Sequence, residues 1–214
     1  CNATAHFLHN MFFVLGEEIN KSEAPTQIKA ELYQANSIEN FDTVAARIHL
    51  KSNAEILFYA SHSTKETVNP KFCYKFEKGT ITYSEDIPMA GTINAVFIDG
   101  TVKTYGNPYE LPIKKLWTCL DAVRGSGNIT CGPEASMSHT VCINGMHESM
   151  PQITRFPDNR LKYDTESGVT WVEGLGEVLE ECYENWLLPG EAGMFQVNKA
   201  RTINLEGYDY FGSV

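Results

Sequence analysis

The first residues of the chain alternate apolar and polar positions with the period of a helix. Leu8, Phe12 and Leu15 follow one another at intervals of four and three residues and form a single apolar stripe. Gly16 comes directly after the stripe, where a helix commonly stops. The pattern predicts a helix over residues 1–16.

From residue 27 the period changes from 3.6 to 2, which is typical of half-buried strands. Strands are predicted around QIKAEL, DTVAARIHL, EILFYASH, KFCYKFEKGTITY and INAVFIDGTVKTYG, the last two each folded into a hairpin. The hairpin turns are predicted at Lys78-Gly79 and Asp99-Gly100. Because most of these strands follow one another through short links, they must pair antiparallel.

After residue 111 the pattern returns mainly to helices. We predict helices over 111–125, 133–149 and 174–186, a strand pair formed by ITRFP and LKYD, and a last strand near VNKARTINL. Strands followed by helices indicate an α+β fold. The sequence therefore predicts one domain over residues 1–214, with an open, mainly antiparallel β-sheet and helices packed on one face.

Composition and charge narrow the class of protein. A formal net charge of −10 and a pI near 5.1 argue against nucleic acid and against a polybasic membrane surface as partners. No stretch reaches the roughly 20 apolar residues of a membrane span. The six cysteines form no CxxC pair, so we expect free thiols in a reducing compartment, the cytoplasm.

The polar face of the first predicted helix carries the candidate chemistry. Asn2, His6 and Asn10 are spaced four residues apart, and His9 flanks them. A merely solvated face would normally carry charged side chains. A metal site would need a third ligand, for which His62, His139 or His147 would have to fold in. Alternatively, Asn2 is a helix N-cap and His6 a surface imidazole.

Two further features have alternative interpretations. Cys1 could be the nucleophile of a self-processed hydrolase or a lipidated residue, but it leads directly into a helix, which fits neither role well. His62 lies where a strand leaves the sheet, in a polar segment that could contact a ligand or simply form a loop. His139 and His147 are eight residues apart and are interpreted as structural or surface residues.

The order of these elements resembles the C-terminal domain of Gfo/Idh/MocA-type oxidoreductases. In that family a D-x-x-x-H helix ending in glycine precedes the sheet, and here Asn2-Ala3-Thr4-Ala5-His6 with FLHNMFFVLG takes its place. KFEKGTITY resembles the family's strand-Gly-strand hairpin. LWTCLDAVRGSGNITCGPEASMSHTVCINGMHES resembles its helix, turn and second helix ending in Ser. The resemblance covers essentially the whole chain.

The resemblance implies roles for several residues. His6 matches the family histidine that acts beside the nicotinamide and the substrate hydroxyl, as an acid/base or orienting group. Asn2 stands where many members have Asp, and an amide cannot carry a proton. His9, Asn10 and His62 are expected as further substrate contacts, with no metal site.

The resemblance also implies what lies outside this chain. The glycine-rich dinucleotide fingerprint of a Rossmann domain is absent from the sequence, so NAD or NADP would be bound by a preceding domain. We expect the substrate-side domain of a dehydrogenase acting on a sugar, cyclitol or polyol, inactive alone. The alternative is a non-catalytic carbohydrate-binding or assembly module. Tyr33, Ala45 and Tyr59 on the outer sheet face predict a homo-oligomer through that face.

Overall fold

A computed structural model describes residues 5–85, 90–109, 111, 113–166, 168–195 and 199–208. Within them the helices are α1 (Ala5–Leu15), α2 (Lys114–Val123), α3 (Pro133–Ser149) and α4 (Leu175–Asn185), with a short 3₁₀ helix over Asp158–Arg160. The strands are β1 (Pro25–Gln34), β2 (Thr43–Leu50), β3 (Glu55–Ser61), β4 (Phe72–Phe76), β5 (Gly79–Ser84), β6 (Thr92–Phe97), β7 (Val102–Gly106), β8 (Thr154–Arg155), β9 (Leu161–Asp164), β10 (Val169–Val172) and β11 (Ile203–Asn204). The predicted α+β class is confirmed.

The strands do not form the single open sheet that the sequence predicted. One sheet has the order β11-β1-β2-β3, with β8 also paired to β1, and a second sheet has the order β4-β5-β6-β7. The segment between Ser61 and Phe72 interrupts the alternation of apolar residues and contains Pro70, which has no N–H to donate. The chain therefore does not continue along the edge of β3.

Contacts between residues divide the chain into two compact units, and the single domain expected over 1–214 stays a prediction. The first unit comprises residues 1–65 and 130–214, and the second comprises 66–129. The second unit is an antiparallel meander whose hairpins lie where the sequence placed them, at Lys78-Gly79 and Asp99-Gly100, followed by α2. The candidate site residues belong to the first unit.

One face of the first sheet carries the main core of this unit. Ile28, Ala30 and Leu32 of β1 are fully buried beneath α1 and α3. Gly145 permits the close approach of α3, because a Cβ there would lie 2.7 Å from Ile28 Cγ2. The alternation in β1 that predicted a buried face is thus confirmed, and α3 is the helix that covers it.

The end of α3 closes a gap in the pairing of β1. β11 pairs with β1 near Ile28, and β8 pairs near Tyr33, which leaves the residues between them without a strand on that side. The Ala30 N–H donates to Ser149 Oγ at 2.9 Å, and Ser149 Oγ donates to the Arg201 carbonyl at 2.6 Å. The helix end therefore supplies the hydrogen-bond partners that a strand would otherwise supply.

The opposite face of the first sheet is also covered by the chain itself. The residues that were predicted to contact a second copy are therefore not exposed. Tyr33 and Ala45 are buried within the chain, where Phe156 stacks on Tyr33 at 5.2 Å between ring centroids. The Tyr59 hydroxyl donates to the Leu187 carbonyl at 2.8 Å. These contacts come from the segment 156–195. The prediction of an exposed face was wrong because that segment folds back over it.

The same segment accounts for a second correction. ITRFP and LKYD were predicted to pair with each other, but β8 pairs in parallel with β1, while β9 pairs with β10. Val172 and Leu175, at the end of β10 and the start of α4, are buried against Tyr33 and Phe156. The apolar residues of this segment therefore form a second core with Tyr33, on the face of the sheet opposite the main core.

Candidate functional site

Helix α1 is fixed by its apolar stripe. Leu8 and Phe12 are almost completely buried in the main core, and α1 packs beside α3. The helix ends at Leu15. At the next residue, Gly16, a Cβ would lie 1.9 Å from the Lys21 carbonyl oxygen, so the returning chain requires a glycine there. The positions of the polar side chains on α1 are consequently set by the core beneath them.

His6 and Asn10 lie one turn apart on the outward face of α1. Both side chains are exposed, and no hydrogen bond or ring contact joins either one to another described residue. Asn2, the first residue of the predicted N-x-x-x-H motif, lies outside the described residues. The face therefore presents at least one imidazole and one amide to solvent.

His9 has a different environment from His6. Its Nε2 lies 3.2 Å from the sulfur of Cys131, the residue before the N-cap of α3. Its ring lies 5.5 Å from the His139 ring on α3 and 5.9 Å from the Phe13 ring, between centroids. His9 thus faces α3, so it is a member of an interhelical cluster.

The electrostatics of this cluster favour neutral imidazoles. Burial lowers the pKa of His9, and the neighbouring His139 and His6 lower it further. Burial also lowers the pKa of His139, while a hydrogen bond with the Ser136 backbone raises it and His6 lowers it. The Nδ1 atom of His9 is buried without a hydrogen-bond partner among the described residues. Burial and the neighbouring imidazoles therefore favour the neutral form of His9.

His62 is placed apart from these residues. It is exposed just beyond β3, and its backbone N–H donates to the Asp42 carbonyl at 2.9 Å. Ser63 beside it is fully buried and accepts a hydrogen bond from Asn36 Nδ2 at 3.3 Å. No contact within the described residues brings the His62 side chain to His6 or His9.

The structure brings two residues of the α3 region into contact with His9. The sequence named His139 as one possible third metal ligand but interpreted it as a structural or surface residue, and it treated Cys131 only as a free thiol. The spacing of Ala135, Ser138 and Cys142 identifies the buried face of α3. His139 borders that face, but a small-residue stripe does not reveal which helix will pack against it.

The described residues offer little to a metal ion or a dinucleotide. They contain no group of three His, Cys, Asp or Glu side chains arranged to hold a metal ion. None of their helices is long and apolar enough to cross a membrane. They also contain no strand-helix-strand unit of parallel strands, since β8 and β1 are their only parallel pair. A nicotinamide dinucleotide therefore does not fit these residues, because its usual cradle is such a unit.

Comparison with known proteins identifies the class of fold. No protein-family model matches the sequence, and no curated protein matches it either. Solved structures do match, and they include NAD-binding and NADPH-dependent oxidoreductases. The chain has the α+β fold of Gfo/Idh/MocA-type oxidoreductases, so the predicted resemblance is confirmed at the level of the fold, over 65–70% of the chain and not over the whole of it.

Three solved structures illustrate the likeness. UDP-N-acetylglucosamine 3-dehydrogenase from Acidithiobacillus ferrooxidans has a TM-score of 0.53 and 11% identity, covering 65% of this chain and 43% of that one. An aldose-aldose oxidoreductase from Caulobacter crescentus has a TM-score of 0.50 and 13% identity, covering 68% and 44%. A putative NADPH-dependent oxidoreductase from Desulfitobacterium hafniense has a TM-score of 0.53 and 13% identity, covering 70% and 45%.

The lengths covered show how far the likeness extends. The match spans less than half of each of these solved structures, as expected for a likeness confined to the substrate-side domain. At this level of identity the likeness establishes an oxidoreductase-type fold and nothing about the reaction. Function therefore has to be argued from the site.

Proposed function

We propose that this chain is the substrate-side domain of an NAD(P)-dependent oxidoreductase acting on a sugar, cyclitol or related polyol, with His6 as the acid/base group. The observation that carries the proposal is the exposed His6 imidazole on a helix anchored by Leu8 and Phe12. The fold supports it, because solved structures with this fold include sugar oxidoreductases by name. We expect the protein to act in the cytoplasm.

The role of His6 follows from the chemistry of alcohol oxidation. When a carbinol carbon is oxidised to a carbonyl, its hydroxyl proton must be accepted by a nearby group. A neutral imidazole suits this task because its ordinary pKa lies near the working pH. His6 is accessible to a substrate molecule, whereas the imidazole of His9 already faces Cys131. His6 is therefore the better choice of the two.

The neighbouring polar residues are assigned to binding. Asn10 lies one turn beyond His6, and its amide can both donate to and accept from sugar hydroxyls. Asn2, which lies outside the described residues, is kept from the sequence prediction as a substrate contact, because an amide can position substrate but cannot carry a proton. His62 is kept as a more distant substrate contact, and His9 is the weakest candidate of the set. The dinucleotide would be held by chain outside these 214 residues.

The proposal is tested by turnover. The chain is expressed together with any residues encoded upstream of Cys1, and NAD(P)H formation is followed on a panel of aldoses, nucleotide sugars and cyclitols. His6→Ala should lower turnover of the best substrate by about 100-fold or more, the usual contribution of a general acid/base.

The matched control is His49→Ala. His49 is an exposed histidine on β2 that interacts with Glu55 at 3.6 Å and has no assigned role in the reaction. It should retain nearly full turnover. Turnover of His6→Ala equal to that of His49→Ala would refute the assignment. Tight sugar binding without turnover in any form of the protein would instead identify a binding module.

A further inference from the structure

Cys131 differs from every other described cysteine in having an imidazole at hydrogen-bonding distance. Cys142 and Cys182 are buried, and burial raises the pKa of Cys142 far above its usual range and that of Cys182 to about 11. Cys73 is half-buried, and Cys119 is exposed on α2. Cys131 is exposed, and His9 Nε2 lies 3.2 Å from its sulfur.

The backbone around Cys131 holds the thiol in place. The next residue, Gly132, donates its N–H to Asn20 Oδ1 at 2.6 Å, and Pro133 fixes the first turn of α3. On the other side, His9 lies on α1, the helix that Leu8 and Phe12 anchor in the main core. His9 is therefore positioned by a helix, and Cys131 by the hydrogen-bonded bend that leads into α3.

The imidazole of His9 faces the Cys131 thiol through Nε2. Burial first, and then His139 and His6, lower the pKa of His9, so the ring favours its neutral form and would hold a proton only transiently. A neutral imidazole facing a thiol can accept the S–H proton as the sulfur attacks, which is the arrangement of an activated nucleophile. Cys131 is an exposed residue, so a reagent can reach it.

We propose that Cys131 and His9 form a reactive thiol site that exchanges with low-molecular-weight disulfides such as glutathione disulfide. The Cys131 sulfur attacks one sulfur of the disulfide, the S–S bond of the reagent breaks, and a new S–S bond joins Cys131 to half of the reagent. His9 accepts the thiol proton and passes it to the departing thiolate. Cys131 is oxidised and the released half is reduced, so no other oxidant is required.

The site does not depend on the proposed function. A mixed disulfide would form on the Cys131 sulfur, which His9 faces. His9 lies one helical turn from His6, so the attached half of the reagent would lie near α1. Its test therefore uses the thiol itself and not enzyme turnover.

Timed exposure to glutathione disulfide at pH 7, followed by mass spectrometry of peptides, gives a modification rate for each cysteine. Cys119 is the reference within the same chain, because it is exposed but has no imidazole contact. General-base assistance contributes about 100-fold or more in preorganised sites, and for this exposed pair we expect Cys131 to react about tenfold faster than Cys119. His9→Gln removes that assistance, so it should lower the modification rate of Cys131 to within about twofold of the rate of Cys119.

Two internal controls separate chemistry from folding. Cys142, buried in the core that α1 and α3 share, should stay unmodified in every folded variant. His139→Gln keeps the contact between His9 and Cys131 and should keep most of the rate. Equal modification rates for Cys131 and Cys119 in the wild type would overturn the proposal. It would also be overturned if Cys131 of His9→Gln were modified as fast as in the wild type while Cys142 stayed unmodified. If His9→Gln exposes Cys142, the wild-type ratio alone decides.

Discussion

Gly145 offers a sharp test of how α3 is seated on the sheet. A Cβ at this position would lie 2.7 Å from Ile28 Cγ2 and 2.9 Å from Leu205 Cδ2. Distances below 3.0 Å require something to move, and Ile28 is fully buried in a central strand. Gly145→Ala should therefore push α3, with His139 and Ser149, away from β1.

The magnitude can be separated from helix propensity by a second glycine. Gly176 lies in α4, and a Cβ there would meet nothing within 4 Å. Alanine favours a helix over glycine by up to about 1 kcal/mol, a gain that applies fully to Gly145 inside α3 and in part to Gly176 in the first turn of α4. Only Gly145→Ala incurs overpacking, which costs about 1–3 kcal/mol. The free energy of unfolding should therefore be about 1–3 kcal/mol lower for Gly145→Ala than for Gly176→Ala.

The measurement is urea unfolding of both variants, followed by tryptophan fluorescence. Trp171 and Trp186 report the first unit, and Trp117 reports the second. Comparing the two variants with each other cancels the part of the propensity gain that they share. If Gly145→Ala is as stable as Gly176→Ala, α3 does not approach β1 as closely as described, and the reasoning fails.

Three further predictions concern the first unit. Ser149→Ala should lower the free energy of unfolding by about 1–3 kcal/mol in urea titrations, since it leaves the buried Ala30 N–H without its partner and removes the bond to the Arg201 carbonyl. Tyr59→Phe should lower the free energy of unfolding by about 0.5–1.5 kcal/mol, measured the same way, because the Tyr59 hydroxyl bonds the Cys182 carbonyl in α4 and the Leu187 carbonyl just beyond it. Acid should destabilise the fold as pH falls below 6.5, with the slope coming from imidazoles that burial keeps neutral: His9, His139 and His147.

The sign of the pH effect is set by those lowered values. Below pH 6.5 the unfolded chain binds more protons on these histidines than the folded chain does. As pH falls, the free energy of unfolding therefore decreases by up to about 1.4 kcal/mol per pH unit for each histidine. Stability is regained as pH rises through 6.5. Replacing His139 by Gln should flatten the profile between pH 5 and 6.5, and an unchanged slope would contradict the buried imidazole.

Exposed residues of the same types provide the controls for the other two variants. Ser126→Ala and Tyr163→Phe alter exposed side chains and should change the free energy of unfolding by less than about 0.5 kcal/mol. A loss in Ser149→Ala no larger than in Ser126→Ala would mean that Ser149 does not close the gap beside β1. The same comparison applies to Tyr59 against Tyr163.

Local patterns identified most of the elements. The stripe through Leu8 and Phe12 predicted α1, and Pro133 with the periodicity after it predicted α3. The hairpin at Asp99-Gly100 was also predicted correctly, because Gly100 adopts a positive φ that a tight turn needs. These features depend on neighbouring residues, so the sequence is sufficient to find them.

Long-range arrangement could not be read in the same way. Tyr33 and Ala45 occupy the expected outer face of the sheet but are covered by a segment more than 100 residues later. The pairing of β8 with β1 depends on the same return of the chain. In the candidate site, the exposed positions of His6 and Asn10 agree with the helical spacing, whereas the contact of His9 with Cys131 depends on how α1 and α3 pack. The roles of these site residues in substrate binding and in proton transfer stay predictions.

The most direct test of the central claim separates kcat from KM for His6→Ala on the best substrate of the panel. If His6 accepts the hydroxyl proton, kcat should fall by about 100-fold or more while KM stays within about threefold. An unchanged kcat with a raised KM would contradict this account, because it would make His6 a residue that only binds substrate.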